Sequence, residues 1–161
     1  EGEPAGSATF VGKKLWLILG RFAACPFCSL RLEDVAARYA MVEKVGVEVL
    51  VIFPSSEKRV KQYVRKYSPP FRVAADPDQV VFQKFGSETS WAGDLRTAIN
   101  LPKMMKAFAR AKMNPLGVDD APHRMPSEYL IDPDGEVAHV HYGQELDDGF
   151  PIREVMSWAE G

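Results

Sequence analysis

The sequence predicts an α/β domain: a central mixed sheet flanked by helices, with a helical insertion before a C-terminal β-hairpin. Three observations carry this. Apolar, strand-like runs alternate with helix-period segments through the first half, which favours a parallel core with right-handed crossovers. The strongest run, Leu15-Trp16-Leu17-Ile18-Leu19, holds no charge, as expected of a strand buried on both faces. The second half closes on two strand-like runs joined by Asp132-Pro133-Asp134-Gly135, where Pro and Gly suit a tight reverse turn; these two strands read as an antiparallel hairpin.

The elements follow in order. Residues 1–8, rich in Gly, Pro, Ser and Ala, read as a flexible lead-in, and 9–161 as a single domain. A short strand is expected at 9–11. After the 15–19 strand, Gly20 ends the run and Arg21-Phe22-Ala23-Ala24 bends the chain into Cys25-Pro26-Phe27-Cys28. From Pro26 the period changes. Leu32, Val35, Ala36, Tyr39 and Val42 recur at helical spacing, Pro26 suits the first turn, and Gly46 suits the stop. Val47-Glu48-Val49-Leu50-Val51-Ile52-Phe53 is the second strong strand. Ser55 or Ser56 is placed to cap a helix over 57–66 with Val60, Val64 and Tyr67 inward. Its basic outer side reads as a solvated surface or a dock for an acidic partner. A short strand follows at 71–74, then a helix opened by Asp76 and Pro77 and running to Phe85, with Val80, Val81 and Phe85 apolar.

The stretch 86–125 is the least regular. Leu101, Met104, Met105, Phe108 and Met113 give it a helical apolar side. That side fits a cover over the core or the site mouth, a docking surface for a partner, apolar substrate or membrane, or the contact of a homodimer. Strands at 127–131 and 136–142 form the hairpin, and 151–158 is a terminal helix with Ile152, Val155 and Trp158 inward.

Composition narrows the function classes. Twenty Lys and Arg against 22 Asp and Glu give a net charge of −2, which predicts no general attraction to nucleic acid or acidic membranes. No apolar run approaches the roughly 20 residues needed to span a bilayer. No secretory signal is present, which suggests the cytoplasm, although a chain opening on Glu1 is compatible with processing. A chain of 161 residues needs no disulfide to be stable, and two cysteines separated by two residues would close too small a loop to staple a fold. Their role is therefore chemical.

Cysteines at a helix start meet free backbone N–H groups and the positive end of the helix dipole, which favour thiolate over thiol. Cys25 is expected to be the accessible, attacking sulfur. Cys28, one turn deeper, would close a disulfide on Cys25 and release whatever Cys25 captured. Arg21 and Arg31 flank the motif and could stabilise the thiolate. A zinc site would want four well-spaced ligands, and two cysteines with three histidines do not supply the usual pattern. His139 and His141 share one strand face without an Asp, Glu or Cys partner in their motif, so no metal and no cofactor is expected.

Strand, tight loop, Cys-X-X-Cys and helix together resemble the thioredoxin superfamily. More closely, the chain resembles the peroxiredoxin-like branch of the alkyl hydroperoxide reductase/thiol-specific antioxidant (redoxin) family. The likeness rests on the 21–31 segment around Cys25-Pro26-Phe27-Cys28, on Asp76-Pro77, and on Met125-Pro126 through Asp134-Gly135. It implies a thioredoxin fold and a thiol–disulfide oxidoreductase, with Pro26, Phe27, Met125 and Pro126 shaping a substrate groove. In such folds a cis-proline faces the cysteines, and Pro126 is expected to be that residue. The implied partners are a protein or small-molecule disulfide, or a hydroperoxide, and a thiol reductant such as a thioredoxin or glutathione.

Departures from the family pattern bear on mechanism. The peroxidatic Pro-X-X-X-Thr-X-X-Cys is absent with either cysteine in its last place, and Pro126 stands where a later peroxiredoxin Arg would be. Exchange is therefore the leading reading, with thiol peroxidase and a non-catalytic redox sensor as alternatives. Leu19 occupies the position of the buried thioredoxin Asp, which leaves Glu128 and His123 as candidate proton acceptors for Cys28.

Overall fold

The apolar run nearest the cysteines forms β1 (Lys14–Leu19), the middle strand of a five-stranded sheet. The computed structural model describes residues 7–86, 105, 109 and 124–161. The other strands are β2 (Val47–Phe53), β3 (Arg72–Ala75), β4 (Ser127–Ile131) and β5 (Val137–Tyr142), in the spatial order β3-β2-β1-β4-β5. β1 pairs in parallel with β2, and β2 with β3; β4 runs antiparallel to β1 and carries β5 as a hairpin. The sheet is mixed, as the alternation in the first half and the turn in the second predict.

Both faces of the inner strands are covered, which explains their unbroken apolar runs. Trp16, Ile18, Val49, Val51, Phe53 and Leu130 point to one face. There they meet α1 (Pro26–Lys44), α2 (Glu57–Tyr67) and the C-terminal α4 (Ile152–Glu160). Leu15, Leu17, Leu19, Leu50, Ile52, Tyr129 and Ile131 point to the other, against Phe10 and Phe82.

Four local expectations differ from the structure. Ser7–Phe10 is a 3₁₀ turn rather than a strand; Phe10 closes it by capping the second face. The α2 inner face carries Val60 and Tyr63, while Val64 is exposed; Tyr63 packs edge-on against Phe53. The helix opened by Asp76 is short, α3 (Val80–Lys84). The Asp76 carboxylate accepts the N–H groups of Val80, Val81 and Phe82, so the first turn winds around that side chain and Phe82 faces inward instead of Val80. Finally, Met105 is helical but 66% exposed, which departs from a cover over the core and not from a docking or homodimer surface. The rest of the expected helical insertion, with Leu101, Met104, Phe108, Met113 and the candidate His123, lies outside the described residues.

Candidate active site

β1 delivers the chain to the cysteines through Gly20, which lies flat on Phe53: a Cβ there would stand 2.5 Å from the ring. The bend that follows is held by backbone and side chain together. Cys25 N donates to Phe22 O, and Ala23 N donates to Ser55 Oγ at 2.9 Å. Ser55 therefore serves the cysteine loop, not the start of α2, where Ser56 occupies the cap position without a side-chain bond. Cys25 is the N-cap of α1 and its sulfur accepts the N–H of Cys28 at 3.4 Å.

Both cysteines are free thiols. Arg21 N donates to Cys28 Sγ at 3.4 Å, and the Arg21 guanidinium reaches Cys25 Sγ at 3.8 Å while its Nε donates to Arg124 O at 2.7 Å. Burial on its own would raise the Cys25 pKa. The Cys28 thiol, the Arg21 charge and the Cys28 N–H outweigh it and bring Cys25 down to about 7. Cys28 is pushed well above the ordinary thiol range, by its hydrogen bond to Cys25, by burial and by the Cys25 charge. The pair is thus split into one thiolate former and one proton holder.

Three sequence expectations change here. Cys25 is not the accessible sulfur: its exposure is 0% against 5% for Cys28. The cap position that favours its thiolate also seats it under the 21–24 bend. The Met125–Pro126 bond is trans, for there is no cis peptide among the described residues. Trans geometry lets Pro126 run straight into β4, and its carbonyl accepts Gly143 N at 2.9 Å, one step beyond the Ser127–Tyr142 pair. The cis-proline groove is withdrawn with it. Pro126 instead walls a small cavity shared with Cys28, while Met125, Pro26 and Phe27 are buried.

The third change concerns Arg31, whose charge goes to Glu128 and not to Cys25. Arg31 Nε lies 2.8 Å from Glu128 Oε1 and its NH2 lies 2.9 Å from Oε2, a bidentate pair with exposures of 12% and 1%. Trp16 Nε1 and Phe150 N also donate to Oε2, and Arg31 donates to Phe150 O at 2.8 Å. Gly149 packs so closely on the pair that a Cβ would stand 2.6 Å from Arg31 Nε. Glu128 was legible as a candidate because it lies two residues from Pro126; the clamp of Trp16, Arg31 and Phe150 around it was not. On β5, His139 is exposed, and His141 Nε2 stands 3.2 Å from Asp148 Oδ1 at ion-pair distance without hydrogen-bond geometry.

The AhpC/TSA family matches residues 1–140. The chain belongs to that family. A curated relative, "Putative peroxiredoxin bcp" of Haemophilus influenzae, is 29% identical over 77 residues, 48% of this chain and 50% of the relative. The chain therefore matches that relative over about half of its length. Peroxiredoxin Q of Xanthomonas campestris superposes with a TM-score of 0.65 at 15% identity, covering 97% of this chain and 81% of that one. A "putative Thiol:disulfide interchange protein DsbE" of Chlorobium tepidum superposes with a TM-score of 0.62 at 16% identity, covering 96% and 84%. The architecture is the thioredoxin fold, as the strand–cysteines–helix order implies. No helix among the described residues is long and apolar enough to cross a membrane.

The Arg21 contact yields a first prediction. Disulfide capture by Cys25 should rise with pH through about 7 and level off above it, as the thiolate forms. Arg21→Met removes a charge that lowers the Cys25 pKa, and the midpoint should move up. A rise of about one unit would cut the thiolate present at pH 7 about fivefold. Stopped-flow capture rates between pH 5 and 9 check this; an unmoved midpoint would remove Arg21 from the site.

Proposed function

We propose that the chain is a thiol–disulfide oxidoreductase that passes two electrons from the Cys25/Cys28 dithiol to a protein or small-molecule disulfide. The observation that carries the reading is the asymmetry of the pair. Cys25 caps α1 beside Arg21 with its pKa lowered to about 7, while the Cys28 thiol is pushed up and keeps its proton. Cys25 thiolate attacks the substrate disulfide and expels one thiolate. Cys28 then attacks Cys25 Sγ, the Cys25–substrate bond breaks, and the second thiolate leaves with that bond's electron pair. A thiol reductant such as a thioredoxin or glutathione restores the dithiol. Because Cys25 is buried, capture needs the 21–24 bend or its cover to shift.

The lowered Cys25 pKa also bears on the direction of electron flow. A nucleophilic cysteine near 7 matches thioredoxin, at about 7, rather than DsbA, at about 3.5. A stabilised thiolate makes the reduced form harder to oxidise, so a milder stabilisation predicts a potential nearer about −270 mV than about −120 mV. Equilibration of the pair against a redox buffer, read by mass after thiol alkylation, tests this. A potential near the upper figure would make the chain an oxidant. This direction suits a reducing compartment such as the cytoplasm.

Thiol peroxidase activity is the second reading, and family membership together with the peroxiredoxin relative favours it. Against it stand the missing peroxidatic Thr and the site of the missing Arg, where Pro126 lines the cavity.

A further inference from the structure

We propose that Glu128 accepts the proton that Cys28 gives up when it resolves the mixed disulfide on Cys25. The transfer would cross the cavity that both residues line. The inference rests on the exchange reading above.

The chemistry sets the requirement. A buried thiol cannot attack until its proton has somewhere to go. Capture consumes the Cys25 thiolate, so Cys25 itself is no longer a base at that moment. The cavity beside Cys28 is lined by Ile18, Gly20, Arg31, Leu32, Pro126, Glu128 and Leu146. Glu128 is the one proton acceptor among those side chains. The cavity is about 10 Å³, close to the room one water needs.

The hydrogen bonds on Glu128 leave room on one of its oxygens. A carboxylate offers about four acceptor positions. Among the described residues, Oε2 takes the donors of Trp16, Arg31 and Phe150, whereas Oε1 takes Arg31 Nε alone. The other titratable groups described around the pair are poor acceptors. Arg21 and Arg31 are cations, the Tyr63 phenol is itself pushed up by burial, and His141 faces Asp148 across the loop after β5.

The step balances. The proton leaves Cys28 Sγ and passes across the cavity that both residues line to the Glu128 carboxylate. The Cys28 thiolate attacks Cys25 Sγ, the Cys25–Cys28 bond forms, and the Cys25–substrate bond breaks. The departing thiolate leaves with the electron pair, and the proton on Glu128 passes to that thiolate or to solvent, which restores the carboxylate. The Cys28 thiol is pushed well above the ordinary range, so giving up its proton is uphill. Disulfide formation draws it forward.

The test uses the whole chain and 5,5′-dithiobis(2-nitrobenzoate) in excess. Capture at Cys25 releases one coloured thiolate, and resolution by Cys28 releases the second. Glu128→Gln and Glu128→Asp are compared with the unmodified chain from pH 6 to 10. Glu128→Asp keeps the charge that Arg31 needs and withdraws the acceptor by one methylene, so it remains informative should Glu128→Gln fail to fold. The expected result is an unchanged first release and a second release slowed about 100-fold near neutrality, the size of a general-base contribution. Alkaline pH should restore the second release, with the Cys25 adduct seen by mass in the meantime. Raising the pH would not repair a merely displaced Cys28. A second release at the unmodified rate and pH profile overturns the proposal, as does a slow release that alkali leaves slow. Failure of the exchange reading looks different: the unmodified chain would then give no first release.

Discussion

Cys25→Ser is expected to abolish disulfide capture, a loss of at least about 10³-fold, while Cys28→Ser is expected to keep capture and accumulate a mixed disulfide on Cys25. The two cysteines are three residues apart but electrostatically unlike. Cys25 has the Cys28 N–H and the Arg21 guanidinium at its sulfur, and its pKa falls to about 7. Cys28 has the Cys25 charge against it, and its thiol is pushed up. At neutral pH the reactive thiolate is therefore on Cys25. Serine in its place offers an alcohol that does not ionise in this range, and nothing else near the loop can substitute.

A peroxidase with its peroxidatic sulfur at Cys28 makes the opposite forecast. Cys28 thiolate would attack the peroxide oxygen and become a sulfenic acid, and Cys25 would resolve it. Cys25→Ser would then retain a sulfenic acid after peroxide treatment. Mass spectrometry of both single mutants separates the cases, after exposure to a disulfide substrate and, in parallel, to hydrogen peroxide. Fast sulfenic acid on Cys28, with no mixed disulfide on Cys25, would overturn the exchange assignment.

How far this site was legible in the sequence depends on how local each signal is. The 15–19 run, the Cys-X-X-Cys after it and the change to helical period are local, and β1, the bend and α1 follow them. The Asp132–Gly135 turn is local too, and β4 and β5 pair across it. What sequence missed comes from distant partners. Arg31 looked like a neighbour of Cys25 because it is six residues away; in the fold its guanidinium turns to Glu128, 97 residues on. Ser55 looked like a helix cap and instead holds Ala23, because β2 ends beside the cysteine bend. The cis-proline expectation came from family likeness, and no local signal in Met125-Pro126-Ser127 distinguishes cis from trans. Here the Gly143 bond to the Pro126 carbonyl continues the hairpin ladder in trans.

Arg31→Met should cost about 3–5 kcal/mol of stability, the usual penalty for removing one partner of a buried ion pair. Glu128 would keep its burial and lose the only cation bonded to it among the described residues. Trp16 Nε1 and Phe150 N cannot replace that charge, because each supplies a neutral donor. Phe150 O would also lose the Arg31 bond that ties the loop after β5 to α1. At roughly 2–4 °C per kcal/mol for a chain of this size, the melting temperature should fall by about 10 °C. A double variant, Arg31→Met with Glu128→Leu, should be less destabilised than the sum of the single changes, because it removes the stranded charge along with its partner. Thermal unfolding of the two single variants and the double variant closes the cycle. Additive losses, or an Arg31→Met cost under about 1 kcal/mol, the value of a surface pair, would show that water screens the Arg31–Glu128 contact.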